Sequence, residues 1–214
     1  MLFRSSVGTA FPGGRMLTCV GCEKAQTEED LRLMTTGRGR DVSFVVDRLT
    51  GPHPAWRHAH MIDKSRIGMA GHSIGGASAV SAMLGDTRVR AGINLDGAFH
   101  DPVPAGGLGR PFLMLGTDDD VHRPGGRDRT WDAAWANLAG WRRWLTVAGA
   151  EHFSFSDWPT LADQLGLPNP GLPAHRAIAI TRDYAAAFFD LHLRGLPRPR
   201  SEEHTSELQS RTLI

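Results

Sequence analysis

Charge of one sign is scarce in this sequence. Its 24 Lys and Arg residues face 23 Asp and Glu, a formal net charge of +1, so no large field is available to hold nucleic acid or an anionic membrane. Long apolar runs are missing too: none approaches the roughly 18 residues that span a bilayer, and nothing reads as transmembrane. Met1 to Phe11 lack a basic region followed by a continuous apolar stretch, so no signal peptide is expected in the chain as it stands. The compartment stays open between cytoplasmic and, if a segment precedes Met1, secreted. Cysteine is rarer still. Cys19 and Cys22 form a lone Cys-x-x-Cys without a second pair, closely spaced histidines or a thioredoxin-like βαβ context, and read as loop residues or a local disulfide. No metal and no cofactor are implied.

What is present is ordinary for a globular protein: 214 residues, 41% hydrophobic and 22% charged, enough for one domain with a core. Glu28-Glu29-Asp30 lead into a helical pattern whose apolar positions are Leu31 and Met34, then Val42, Val45, Val46 and Leu49 at spacings of three and four; this predicts a helix over Asp41 to Leu49 and a helical segment upstream of Gly37, while Thr50 to His60 has no period and reads as a loop. From Arg66 onward short apolar runs alternate with helical patterns. Strands are expected at Ile67–Ala70, Ala91–Leu95, Pro111–Leu115 and Trp144–Val147, with helices at Ala77–Leu84, Trp131–Leu138 and Ile178–Leu193. This βαβ rhythm predicts an α/β protein whose mostly parallel sheet is flanked by helices. Residues 1–199 form the expected domain. The tail 200–214 is polar, has no apolar face and resembles translated adapter sequence, so it is expected to be disordered and non-native.

The most specific motif is Gly71-His72-Ser73-Ile74-Gly75, placed directly after a strand and directly before a helix. That context is what Gly-x-Ser-x-Gly demands of a nucleophile elbow, a turn whose serine is strained and whose flanking positions, Gly71 and Gly75, must lack side-chain bulk. A serine hydroxyl needs a base, and the base needs an orienting carboxylate, in chain order Ser, acid, His. Among the histidines that follow Ser73, His100, His122, His152, His175 and His192, position selects His152, in a small-residue loop just after the last expected strand. His192 lies on the closing helix and reads as a surface or cap residue, and His72 as packing beside the nucleophile. For the acid, two strand ends offer a residue: Asp96, and the cluster Asp118, Asp119 and Asp120. Spacing excludes neither. The cluster otherwise reads as a solvated, capping turn, with calcium a minor alternative.

Three motifs in this order, Gly71-His72-Ser73-Ile74-Gly75-Gly76, Asn94-Leu95-Asp96-Gly97 and His152-Phe153-Ser154-Phe155-Ser156-Asp157, resemble the platelet-activating-factor acetylhydrolase group of α/β-hydrolases and its bacterial relatives. The resemblance covers roughly Arg40 to Leu193. It implies the α/β-hydrolase fold, hydrolysis of small-molecule or lipid carboxylic esters through an acyl-enzyme, and Asp96 as the acid. The arrangement of cutinase-like and bacterial triacylglycerol lipases would select Asp119 instead. An oxyanion hole would take one donor from the Ile74 backbone N–H and a second from a loop after an early strand. Met1 to Ser65 offer no such strand and loop, so N-terminal truncation is expected. Ala10 to Leu17 reads as a hairpin-type segment between the family's early strands and the helix before the nucleophile strand. The missing donor also leaves a second reading, a catalytically impaired fragment or a non-catalytic binding protein of the same shape. Trp131, Trp135, Trp141, Trp144 and Trp158 read as packing residues rather than a lipid-contact surface.

Overall fold

A computed structural model describes residues 8–10, 12–18, 25–197 and 209–213. Cys19, Cys22 and residues 198–208 of the tail lie outside the described residues. β1 (Gly8–Ala10) and β2 (Met16–Thr18) pair antiparallel, the hairpin expected from Ala10 to Leu17, with Gly13 and Gly14 at positive φ in its turn.

Helix α1 (Glu28–Thr50) joins the expected segment upstream of Gly37 and the helix expected over Asp41 to Leu49 into one. Its start is fixed by Thr27, whose hydroxyl accepts from the Asp30 amide at 3.1 Å while the Asp30 carboxylate accepts the Thr27 amide at 3.0 Å. Glu28, Glu29 and Asp30 then place negative charge in the first turn, where the helix dipole favours it. The helix runs through Gly37 and Gly39 because tertiary packing overrides their weak propensity. A Cβ at Gly39 would lie 3.0 Å from the Ala82 nitrogen, so this glycine is the point of closest approach to the next helix.

Strands β3 (Ile67–His72), β4 (Val89–Leu95), β5 (Phe112–Thr117) and β6 (Arg142–Val147) form a parallel sheet in chain order. Helices α2 (Ile74–Gly85) and α3 (Arg129–Asn137) connect them, and α4 (Trp158–Leu165) and α5 (Ala174–Arg194) follow. Every residue of β5 is buried, and period-2 alternation splits it between two cores. Phe112 and Met114 join Val80, Met83, Trp131 and Trp144 on one face. Leu113 and Leu115 join Ile93, Val147, Phe155, Tyr184 and Phe188 on the other, beneath α5. Trp131, Trp135 and Trp144 are thus core residues. Among the described residues no helix is long and apolar enough to cross a membrane.

The tail differs from the unstructured segment its composition predicts. β7 (Gln209–Leu213) lies beside β6 as a parallel fifth strand, Arg142 opposite Gln209 and Thr146 opposite Leu213. The outer edge of β6 offers a row of N–H and C=O groups, and a segment in extended conformation satisfies them whatever its side chains.

Candidate active site

The register of the sheet aligns strand ends. His72 stands opposite Leu95, Leu95 opposite Leu115, and Thr117 opposite Val147, so the residues that follow β3, β4, β5 and β6 collect at one carboxyl edge. Ser73 follows β3 and caps α2 with φ 57° and ψ −127°, a strained conformation for a residue with a Cβ. Backbone bonds on both sides hold it there: Ser73 N–H donates to Leu95 O at 2.8 Å, and Ala77 N–H to Ser73 O at 3.0 Å. A Cβ at Gly71 would run into the Gly75 carbonyl, whereas one at Gly75 would meet nothing within 4 Å. The second tight position is Gly76, where a Cβ would lie 3.0 Å from Leu95 N and against Asn94 Oδ1. The motif's steric demand therefore falls on Gly71 and Gly76, and the expectation at Gly75 is corrected. Ile74 opens α2, and its N–H is one of the first-turn donors without an intrahelical acceptor.

Asp96 follows β4 with φ 58° and is 2% exposed. The buried Asn94 pins its turn, donating from Nδ2 to Gly97 O at 2.7 Å and accepting the Gly97 amide on Oδ1 at 3.0 Å. Asp96 Oδ1 accepts from the Thr117 amide at 2.7 Å and the Thr117 hydroxyl at 3.1 Å. Its Oδ2 lies 2.7 Å from His152 Nδ1. His152 begins a single 3-10 turn, His152–Phe155, after β6. Buried Phe155 and a bond from the Glu151 amide to Ser154 Oγ at 2.9 Å hold that turn. His152 Nε2 is 2.9 Å from Ser73 Oγ. Asp96 acts as acceptor throughout, so Nδ1 of His152 carries the proton and the Nε2 lone pair faces the serine hydroxyl. A hydroxyl, imidazole and carboxylate in this order can turn the serine into a nucleophile.

His72 packs beside this series, its ring centroid 4.5 Å from that of His152. Burial holds its imidazole below the ordinary pKa, so the ring is neutral and Nε2–H donates to the His152 carbonyl at 2.7 Å. Phe153 is 47% exposed with its ring 5.2 Å from that of His152, an aromatic lip on the solvent side of the imidazole.

The remaining candidates serve elsewhere. Asp118 grips Arg123, with Nε at 2.7 Å and Nη2 at 3.0 Å. Asp120 is exposed. Asp119 Oδ1 accepts the Val121 and His122 amides, each at 2.9 Å. Burial raises the Asp119 pKa, but the two amides together with the Thr117 hydroxyl and nearby His122 hold the group below the ordinary range. Among the described residues no three His, Cys, Asp or Glu side chains converge to hold a metal ion. His100 pairs with Glu28 at 3.0 Å, and His175 is exposed. His192 lies in the last turn of α5, as the cap reading expects, but is half-buried rather than on the surface. Its ring lies 4.4 Å from that of Trp141 and 4.9 Å from that of Phe188, and burial, then Arg143, lowers its pKa to about 4.

Sequence reasoning gave no role to Asn94, Thr117 or His122. The available signal was chemical: Asn94 and Thr117 are polar residues near the ends of otherwise apolar strands, and both are fully buried.

A family model described as platelet-activating factor acetylhydrolase, isoform II, matches residues 55–167, a span that holds Ser73, Asp96 and His152. A probable 1-alkyl-2-acetylglycerophosphocholine esterase of Arthroderma benhamiae is 29% identical over 181 residues, covering 74% of this chain and 43% of the fungal protein. The solved structure of a ferulic acid esterase from Streptomyces cinnamoneus matches with a TM-score of 0.80 and 43% identity, over 93% of this chain and 59% of that one. This chain therefore spans less than two thirds of either relative's length.

Proposed function

The chain belongs to the platelet-activating factor acetylhydrolase, isoform II, family and has an α/β-hydrolase fold, and from that premise we propose that it hydrolyses carboxylic esters with Ser73 as nucleophile, His152 as base and Asp96 as the orienting acid. One observation carries the reading: the unbroken series from Ser73 Oγ through His152 to Asp96, with contacts of 2.9 and 2.7 Å. Ser73 Oγ attacks the ester carbonyl as His152 Nε2 takes its proton, and Asp96 stabilises the imidazolium across Nδ1. The oxyanion that develops is met by the Ile74 N–H, a donor already aimed by the helix start. His152 then returns the proton to the departing alkoxide, leaving an acyl-Ser73 ester. Water, deprotonated by the same imidazole, releases the acid.

The relatives bear on the substrate class. One is named for an acetylglycerophosphocholine ester and the other for ferulic acid, so the shared chemistry is a carboxylic ester of a small acyl or aryl group. Phe153 beside His152, with half-buried Trp158 next to Phe153, offers an apolar rim for such a group. The site needs no cofactor for this chemistry.

The test is hydrolysis of p-nitrophenyl acetate and butyrate by the parent and by Ser73→Ala, with fluorophosphonate labelling followed by peptide mapping. Turnover lost in Ser73→Ala and a label on Ser73 are expected. A parent that neither turns over nor labels overturns the proposal and favours a non-catalytic role, and turnover that survives Ser73→Ala overturns Ser73 as the nucleophile.

A further inference from the structure

We infer that His122 is a positioning residue for the Ser73–His152–Asp96 series, and that Asp119 supports that series from behind His122. The inference rests on the reading of Ser73, His152 and Asp96 given above. His122 sits in the loop after β5 and is buried. Its Nδ1 lies 2.9 Å from Thr117 Oγ1, 3.3 Å from Asp96 Oδ1 and 3.4 Å from Asp119 Oδ1. Two carboxylate oxygens and a hydroxyl thus surround a single ring nitrogen.

That geometry fixes the tautomer. A bare lone pair on Nδ1 would face two carboxylate oxygens at close range with no proton between them, so Nδ1 carries the hydrogen and donates into the cluster. Thr117 has one hydroxyl proton. With Nδ1–H donating to Thr117 Oγ1, that proton is free to go to Asp96 Oδ1 at 3.1 Å. The Oδ1 side of Asp96 is thereby held by the Thr117 amide and the Thr117 hydroxyl, the latter oriented by the His122 N–H, which leaves Oδ2 as the atom presented to His152.

The imidazole is itself clamped. Trp131 packs on the ring with centroids 5.0 Å apart, Trp144 Nε1–H donates to the His122 carbonyl at 3.0 Å, and Asp119 Oδ1 accepts the His122 amide at 2.9 Å. The two strand-end carboxylates that compete for the role of acid in the sequence are members of one network. Asp96 faces the base, and Asp119 holds the histidine that supports Asp96.

The experiment separates hydrogen bonding from packing. His122→Phe keeps an aromatic ring against Trp131 but has no donor. His122→Asn loses the ring but places an amide N–H near the former Nδ1. If His122 positions Asp96, His122→Phe lowers kcat roughly 3- to 10-fold, as expected for loss of the neutral hydrogen bond that orients the Thr117 hydroxyl, with KM little changed, and His122→Asn recovers most of that loss. A packing role alone reverses the order, with His122→Asn the worse variant. A second readout does not depend on turnover: nitrogen-15 NMR of the ring is expected to give the Nδ1–H tautomer at His122, and His122→Phe to shift the His152 Nδ1 proton resonance. An Nε2–H tautomer at His122, or a His122→Phe variant with parental kcat, overturns the inference. Failure of the parent to label at Ser73 would instead strike the functional reading and leave the tautomer result to decide this one.

Discussion

Asp96→Asn is the substitution whose effect the geometry specifies most closely. The replacement is isosteric, so the turn pinned by Asn94 is kept. Asparagine, however, has one acceptor oxygen where aspartate has two. The Thr117 amide, 2.7 Å from Oδ1, can be satisfied only by that oxygen, which puts the new NH2 group at the place of Oδ2, 2.7 Å from His152 Nδ1. Two donors cannot face each other there, so Nδ1 must give up its hydrogen and Nε2 must take it. The Nε2–H then points at Ser73 Oγ, and the ring can no longer accept the serine proton. The same tautomer reversal in a serine protease costs about 10⁴-fold in kcat, or ~5.5 kcal/mol of transition-state stabilisation. The assay is kcat for p-nitrophenyl acetate beside a thermal melt, with Asp119→Asn measured in parallel and expected to lose less than about tenfold, since its link runs through one further hydrogen bond. Asp96→Asn within tenfold of the parent, or Asp119→Asn down by about 10⁴-fold, would refute the assignment of the acid.

Two further outcomes follow from the packing. Gly71→Ala drives a Cβ into the Gly75 carbonyl and should destabilise by about 1–3 kcal/mol or more, a fall of several degrees in Tm, whereas Gly75→Ala, with open space around it and a helical position, should leave Tm equal or higher; equal melting points for the two would contradict the steric account of the elbow. His192 has its pKa lowered from 6.5 to about 4, so above pH 6.5 the group is neutral in both states and stability is insensitive to it. Between 6.5 and 4 the unfolded chain takes up the proton first, stability declines as pH falls, and the decline levels off below 4. His192→Leu should flatten that segment of a stability–pH curve measured by urea unfolding, and an unchanged slope would show that other groups govern it.

Some of this was legible in the sequence because it is local. A strand, Gly-His-Ser-Ile-Gly and a helix occupy one stretch of chain, and the apolar runs at β4, β5 and β6 are buried on both faces, so they read as strands without needing a period. Helix α1 was half hidden because Gly37 and Gly39 look like breakers, and only the crossing with α2 reveals why Gly39 is there. The start of β6 was hidden by Arg142 and Arg143, charged residues in a strand. There Arg142 donates to the Trp135 and Leu138 carbonyls at the end of α3, and Arg143 packs its guanidinium on Trp141. Helix α4 is not legible because it has only 8 residues, with Pro159 at its second position and Gly166 at its end, too few for a period to show. Asp96 and Asp119 were both legible as candidates, but their different partners were not. The Thr117 and His122 contacts join residues that the fold, not the spacing, brings together.

The order of strands in space matches their order in the chain, and this sets a timetable for synthesis. The nascent chain emerges amino end first, at roughly 5–20 residues per second. Ser73 and Asp96 are laid down on neighbouring strands before β6 exists, and 56 positions separate Asp96 from His152. For several seconds the ribosome-bound chain holds the serine and the carboxylate with no imidazole to place between them, and by the mechanism proposed here it is chemically silent until the turn after β6 delivers its base.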